Sequence, residues 1–463
     1  MLPVDKHALL SGFLGQLPAH VTARLAKAVE VDRLIGGTEL PHDELLSALR
    51  PQLREMERRP ARLATPQRYF CRPFEDLLVN AMPKTKQKGR IARASLQPVW
   101  HWLASDLIPE RHQELTEAIA GAIVKQDEEK LHANLEELWR EAAAAIREAL
   151  ATPEKKKLAA RLLGSHVIAE DAAEMALLIG AGTEILVLQS KLPRPIPTLG
   201  AAEIETLREV HDQFLVSRPD IGPYLAVIAM ARLERPWEAL HLTARLARQS
   251  TDTVISSTDM GLVGEILFND LEHYVEKIRT VRPGEFDPTQ LLAALSAFAE
   301  LSSGMVKELG IRRDGKWGQR LTKARSTVAQ IIEGLLERAP REILGALPAA
   351  RAGSFGKGPK PLDLHRPPDP EKFARAMRYA HLVAHSRPFA VAAAFNAKLL
   401  SVTDEITTAV RTFGEDLLRE VRAAREGSHA EHYIDPTLDL CALVLGEEEA
   451  ALLRRRARVP AGA

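Results

Sequence analysis

Two short basic segments hold the side chains whose types and spacing best suit a chemical task. Residues 84–93, KTKQKGRIAR, carry Lys84, Lys86, Lys88, Arg90 and Arg93 with no anion, and Trp100, His101 and Trp102 follow closely. Residues 312–325, RRDGKWGQRLTKAR, carry Arg312, Arg313, Lys316, Arg320, Lys323 and Arg325 against the single acid Asp314, with Trp317 in their midst. Cations interleaved with aromatic rings can hold phosphates by charge while the rings stack on bases or settle into a headgroup layer. The candidate anion-binding residues are therefore Lys84, Lys86, Lys88, Arg90, Arg93, Arg312, Arg313, Lys316 and Arg320. The competing reading makes each segment a solvated loop or helix face whose tryptophan belongs to the core. Placement decides: on one shared face the two segments make a site, and apart they are ordinary surface.

Other fragments have the letters of a catalytic motif without its context. Residues 310–316, GIRRDGK, have the glycine and lysine spacing of a phosphate-binding loop. Yet Trp317 stands where a metal-binding hydroxyl is needed, and no strand precedes. Residues 176–182, ALLIGAG, imitate the first turn of a dinucleotide fold, but Ile185 replaces the third glycine and the flanking EDAAEM run favours helix. His381 and His385 share a helix face without the glutamate of a zinc-protease helix. Glu129 with His132, and Glu426 with His429, have the Glu-x-x-His spacing of di-metal bundles, the second pair broken by Gly427 and Ser428. No nucleophile–base pair stands out. The chain is expected to be non-enzymatic, with no catalytic, cofactor or metal residues.

Lys+Arg and Asp+Glu balance at 62 each, so any affinity for nucleic acid or membrane must come from local patches. Cys71 and Cys441 alone are too few for a disulfide framework, which suits a reducing compartment. The N-terminus has no basic head followed by an apolar block, so no secretory leader is expected and the mature protein is expected to start there. Residues 172–188 are interrupted by Glu174 and Glu184, and residues 388–400 fall short of the ~20 needed to span a bilayer. A cytoplasmic protein without a transmembrane segment is expected.

Alanine, leucine, glutamate and arginine dominate and period-two alternation is almost absent, which predicts an all-α chain without significant β-sheet. Thr152-Pro153, Asp287-Pro288, Asp369-Pro370 and Asp435-Pro436 each predict a helix start, the side chain capping and the proline at the first helical position. Helices are expected at 5–16, 19–34 and 41–58, along 110–150, at 153–164 and 167–190, and at 372–385, 389–425 and 436–457. Tyr69, Phe70, Phe74, Leu77 and Leu78 read as a buried anchor, with Cys71 a small apolar residue in it. Leu399, Val402, Ile406, Val410, Phe413, Leu417 and Val421 form an apolar stripe that reads as core or as a dimer seam. The breaks predict an N-terminal domain 1–192, a proline-rich connector 193–199, a middle helical-hairpin domain 200–349, a flexible linker 350–370 and a C-terminal domain 371–463.

Residues 222–248, GPYLAVIAMARLERPWEALHLTARLAR, add a family likeness. Small residues at Ala226, Ala229 and Ala231, a turn at residues 234–236 and a second helix opening with Trp237, Glu238, Ala239 and Leu240 resemble a tetratricopeptide hairpin. That resemblance implies stacked helical hairpins with a peptide-binding concave face. The expected function is a scaffold or adaptor that binds a protein partner or another copy of itself. The alternative is an anionic polymer or surface, nucleic acid or acidic lipid, held by the two basic segments.

Overall fold

The protein is described by a computed structural model at residue 14 and over residues 19–35, 40–49, 65–248, 251–312, 314–348, 362–423 and 428–457. All of the expected helix 5–16 but residue 14, much of 41–58, most of the linker 350–370, and Arg313, Glu426 and Gly427 lie outside those residues. The chain is all-α. Its strands among the described residues are two dipeptides, Leu78–Val79 and Ile91–Ala92, paired in parallel with Leu78 opposite Ile91. No helix among the described residues is long and apolar enough to cross a membrane.

Contacts divide the chain into two compact units, residues 1–71 with 110–138, and residues 72–109 with 139–463. The first contains helix α1 (Ala19–Ile35) and a cluster in which Leu25 and Leu45 pack on Leu14, Ala26, Ala48 and Leu49. The expected 110–150 helix is two helices, α2 (Pro109–Lys125) and α3 (Glu128–Ala149). Gln126 takes a left-handed φ of 54° between them, and Asp127 Oδ1 accepts from the Lys130 N–H at 3.1 Å to cap the second.

The second unit runs through α4 (Pro153–Leu162), α5 (His166–Ile179), α6 (Gly182–Lys191), α7 (Ala201–Ser217), α8 (Gly222–Arg232), α9 (Ala239–Leu246), α10 (Leu262–Arg279), α11 (Pro288–Leu309), α12 (Lys316–Leu344), α13 (Pro370–His385), α14 (Asn396–Ala423), α15 (Ile434–Val444) and α16 (Glu447–Ala457). Three proline starts behave as the sequence dictates: Thr152, Asp287 and Asp369 each accept from backbone N–H groups of the first turn. The fourth differs. A 3-10 turn, Ala430–Tyr433, runs straight into α15, so Asp435 and Pro436 fall inside its first turn. Proline is tolerated there because those N–H groups have no intrahelical partner.

Helix α10 is the axis of this unit, packing on α8, α11 and α12. Beyond it α12 packs on α13 and α14, with Phe286 edge-on to Tyr379 at 5.1 Å between ring centroids. Residues 200–349 and 371–463 therefore belong to one packed unit with residues 72–109 and 139–192. The apolar stripe of α14 from Leu399 to Leu417 is buried within the chain, because α12 and α15 cover it. The 3-10 helix Arg72–Leu77 turns Pro73, Phe74 and Leu77 inward and leaves Leu78 half-buried.

Candidate functional site

Residues 80–90 leave one short strand and return in the other, which brings the first basic segment down onto α5. Lys86 Nζ lies 2.6 Å from Asp171 Oδ1, 2.5 Å from Glu174 Oε2 and 2.5 Å from the Arg90 carbonyl oxygen. A lysine has three N–H donors, and these three acceptors take them all. The carboxylates are equally occupied. Asp171 Oδ2 accepts from the Ala92 N–H at 3.1 Å and the Ser95 hydroxyl at 2.5 Å, and Glu174 Oε1 accepts from the Gly89 N–H and the Tyr224 hydroxyl, each at 2.7 Å. Asp171 and Glu174 are 1% and 6% exposed, so desolvation would cost several kcal/mol without this pairing. Burial, reinforced by the negative Glu174, pushes the Tyr224 phenol far above its ordinary range and keeps it a donor.

The rest of that segment leans on α10. The Arg90 guanidinium meets Asp270 at 2.5 Å, and Lys88 lies 5.9 Å from the centre of the Tyr224 ring and 4.0 Å from Asp259. Burial raises the Asp270 carboxyl above its usual value, with the Arg90 charge opposing. Gly89 has φ 80°, and a Cβ there would stand 2.6 Å from Ile266 Cδ1, so both conformation and space call for glycine. Lys84 and Arg93 remain exposed.

The second basic segment reaches the same helix. Lys316 at 2.9 Å, the Trp317 indole N–H at 3.2 Å and Arg320 at 2.6 Å all converge on Glu265, and Arg320 also meets Glu272 at 2.9 Å. Burial would raise the Glu265 carboxyl, but the hydrogen bonds from Lys316, Trp317 and Arg320 outweigh it and hold it below its usual value. Arg312 pairs with Asp314, and Trp317 is fully buried. The two segments thus share α10 while meeting different carboxylates on it. As anion-binding candidates, Lys86, Arg90, Lys316 and Arg320 are engaged internally because acids distant in sequence fold against them.

A second buried pair ties the proline-rich connector. Arg232 donates to Asp76 Oδ2 at 2.9 Å and to the carbonyls of Gln189 and Leu192 at 2.6 and 2.9 Å, and Arg194 meets Asp76 Oδ1 at 3.2 Å. Ile196 exchanges backbone hydrogen bonds with Arg232 and Glu234 at 2.7 and 3.0 Å. The connector is pinned along the end of α8. Asp76, Asp171, Glu174 and Arg232 were not singled out from sequence, although Asp171 and Glu174, three apart in a helix that is apolar beyond His166 and Glu170, are a readable sign of buried pairing.

The motif-like fragments resolve as helix ends. Gly310 is the left-handed cap of α11, and residues 176–182 join α5 to α6. His381 and His385 stack at 4.2 Å between ring centroids, and His132 bonds to the Glu128 carbonyl. No group of three or more metal-ligating side chains occurs among the described residues.

Two separate cavities lie against α11, one toward each end. Gln290, Ala293 and the half-buried Ala297 line the first, of about 750 Å³, and Glu300, Ser303, Gly304 and Lys307 line the second, of about 550 Å³. At one end stand Tyr274, Lys277, Arg282 and Phe286, and at the other Arg235 and Trp237. A Cβ on Gly304 would lie 2.5 Å from the Trp237 ring, so glycine lets the indole lie flat on the helix. Each cavity is lined by two cations and two acids, Lys277, Arg282, Glu285 and Asp287 in the first and Arg235, Lys307, Glu234 and Glu300 in the second. Gln290 in the first cavity and Lys307 in the second are about 26 Å apart along α11 at the helical rise per residue. No family model, no curated protein and no solved structure matches this chain.

Proposed function

We propose that this chain is a non-enzymatic cytoplasmic scaffold that holds a segment of a partner protein in the cavities along α11. The supporting observation is the pair of cavities along α11, with Ala293, Ala297, Ser303 and Gly304 giving small side chains to their floors, half-buried Trp237 and exposed Arg235 at one and the half-buried Tyr274 ring at the other. Tryptophan, tyrosine and arginine dominate binding hot spots, and a small-residue floor admits a helix or extended strand closely. The turn carrying Trp237 belongs to the tetratricopeptide-like hairpin, which this reading takes as a peptide-holding element. Balanced charge along the walls suits a partner segment of mixed character. A second copy of the chain is the other occupant the cavities would take.

A photo-crosslinking side chain at Ser303 tests this. It is expected to capture one stoichiometric partner, or a second copy, and Ala297→Trp is expected to abolish that capture while leaving the unfolding midpoint unchanged. A strictly monomeric mass with no capture at Ser303 overturns the reading.

A further inference from the structure

Helix α4 (Pro153–Leu162) presents a surface unlike either basic segment. Leu158 and Leu162 are 57% and 59% exposed, one helical turn apart, while Ala159 and the following Leu163 are turned inward. Lys155, Lys156, Lys157 and Arg161 are exposed as well. Lys155 reaches back to Glu148, to its carbonyl at 3.2 Å and its carboxylate at 3.9 Å, whereas Lys156, Lys157 and Arg161 meet no carboxylate among the described residues. Glu154 is the one acid on the helix. At about 100° per residue, the two leucines lie between Lys155 and Arg161 on the helix circumference. The exposed apolar ridge is thus bordered on one side by Arg161 and Lys157, which meet no carboxylate among the described residues, and on the other by Lys155, which Glu148 partly cancels, unlike Arg90, Lys316 and Arg320, which pair with carboxylates of α10.

We propose that α4 is a docking surface for an anionic phospholipid bilayer, with Leu158 and Leu162 entering the acyl boundary and the lysines and Arg161 meeting lipid phosphates. Two features choose lipid over other anionic partners. Lysine is depleted at protein interfaces, where aromatic residues and arginine prevail, yet it crowds the polar faces of helices that lie on membranes. A nucleic acid would use rings for stacking, and this helix carries leucines. The surface is separate from the cavities along α11 and does not depend on them.

The test is co-sedimentation of the intact chain with phosphatidylcholine vesicles, with and without phosphatidylserine. Binding is expected only with phosphatidylserine, and it weakens as salt rises. Each basic residue near an anionic surface contributes about fivefold, so the Lys157→Gln/Arg161→Gln pair is expected to lower partitioning about 25-fold. Leu158→Ser/Leu162→Ser is expected to weaken binding markedly, with the residual binding keeping the salt dependence. Both pairs alter exposed side chains, and an unchanged unfolding midpoint confirms that they fold. The proposal is overturned if phosphatidylserine vesicles fail to bind. It is overturned equally if the leucine pair binds as well as the original, or if an acidic peptide or soluble polyanion binds α4 while vesicles do not.

Discussion

Lys86 shows how far a side chain's role depends on what it meets. Its three donors end on Asp171, Glu174 and the Arg90 carbonyl, and replacing it by methionine strands two buried carboxylates. Lys86→Met is expected to cost about 3–5 kcal/mol in urea unfolding, because breaking a buried pair leaves an uncompensated charge. Adding Asp171→Asn and Glu174→Gln should recover most of that loss; a single variant as stable as the parent would show that the cluster is not a structural clasp. Glu265 carries a pH signature. Its folded carboxyl is held below its ordinary value by Lys316, Trp317 and Arg320, against the opposing effect of burial. The stability it adds is present above the unfolded value and is lost as pH falls through the folded one. Acid unfolding of Glu265→Gln is expected to be less steep over that window than that of the parent.

Elements are located by close approaches that few residues permit. Gly89 joins the first basic segment to α10 with a left-handed backbone and no room for a Cβ. Gly89→Ala is expected to destabilise by about 1–3 kcal/mol, measured by denaturant titration, since strained φ and overpacking each carry costs of that order. Gly304→Val is expected to lift Trp237 off α11, seen as a red-shifted and more readily quenched tryptophan emission, and to weaken capture at Ser303. The helices around them are amphipathic pieces stopped by local devices, such as the left-handed Gly446 at φ 98° between α15 and α16, where one helix 436–457 was expected.

At the scale of the molecule, residues 200–349 and 371–463 pack as parts of one unit through α12, α13 and α14. Hydrogen exchange is expected to expose the amides of α10 and α14 over one range of denaturant, because their contacts run through the shared α12. Loss of α14 protection well before α10 would show that the C-terminal helices open independently.

Helical class, most helix starts and the apolar stripe of α14 were legible in the sequence, because capping, proline placement and 3.6-residue periodicity are local. The positions and charges of the two basic segments were legible as well. Their partners were not: Asp171 and Glu174 lie 85 and 88 residues from Lys86, and Asp270 lies 180 from Arg90. Nothing in a run of lysines says whether a folded acid will reach it. Nor did the sequence mark α4, whose four cations resemble any solvated helix until the leucines beside them prove exposed. Sequence by itself determined the helical class and which faces are apolar; tertiary structure decided where several helices break and which charges are cancelled and which remain outward, because pairing is a matter of distance in space.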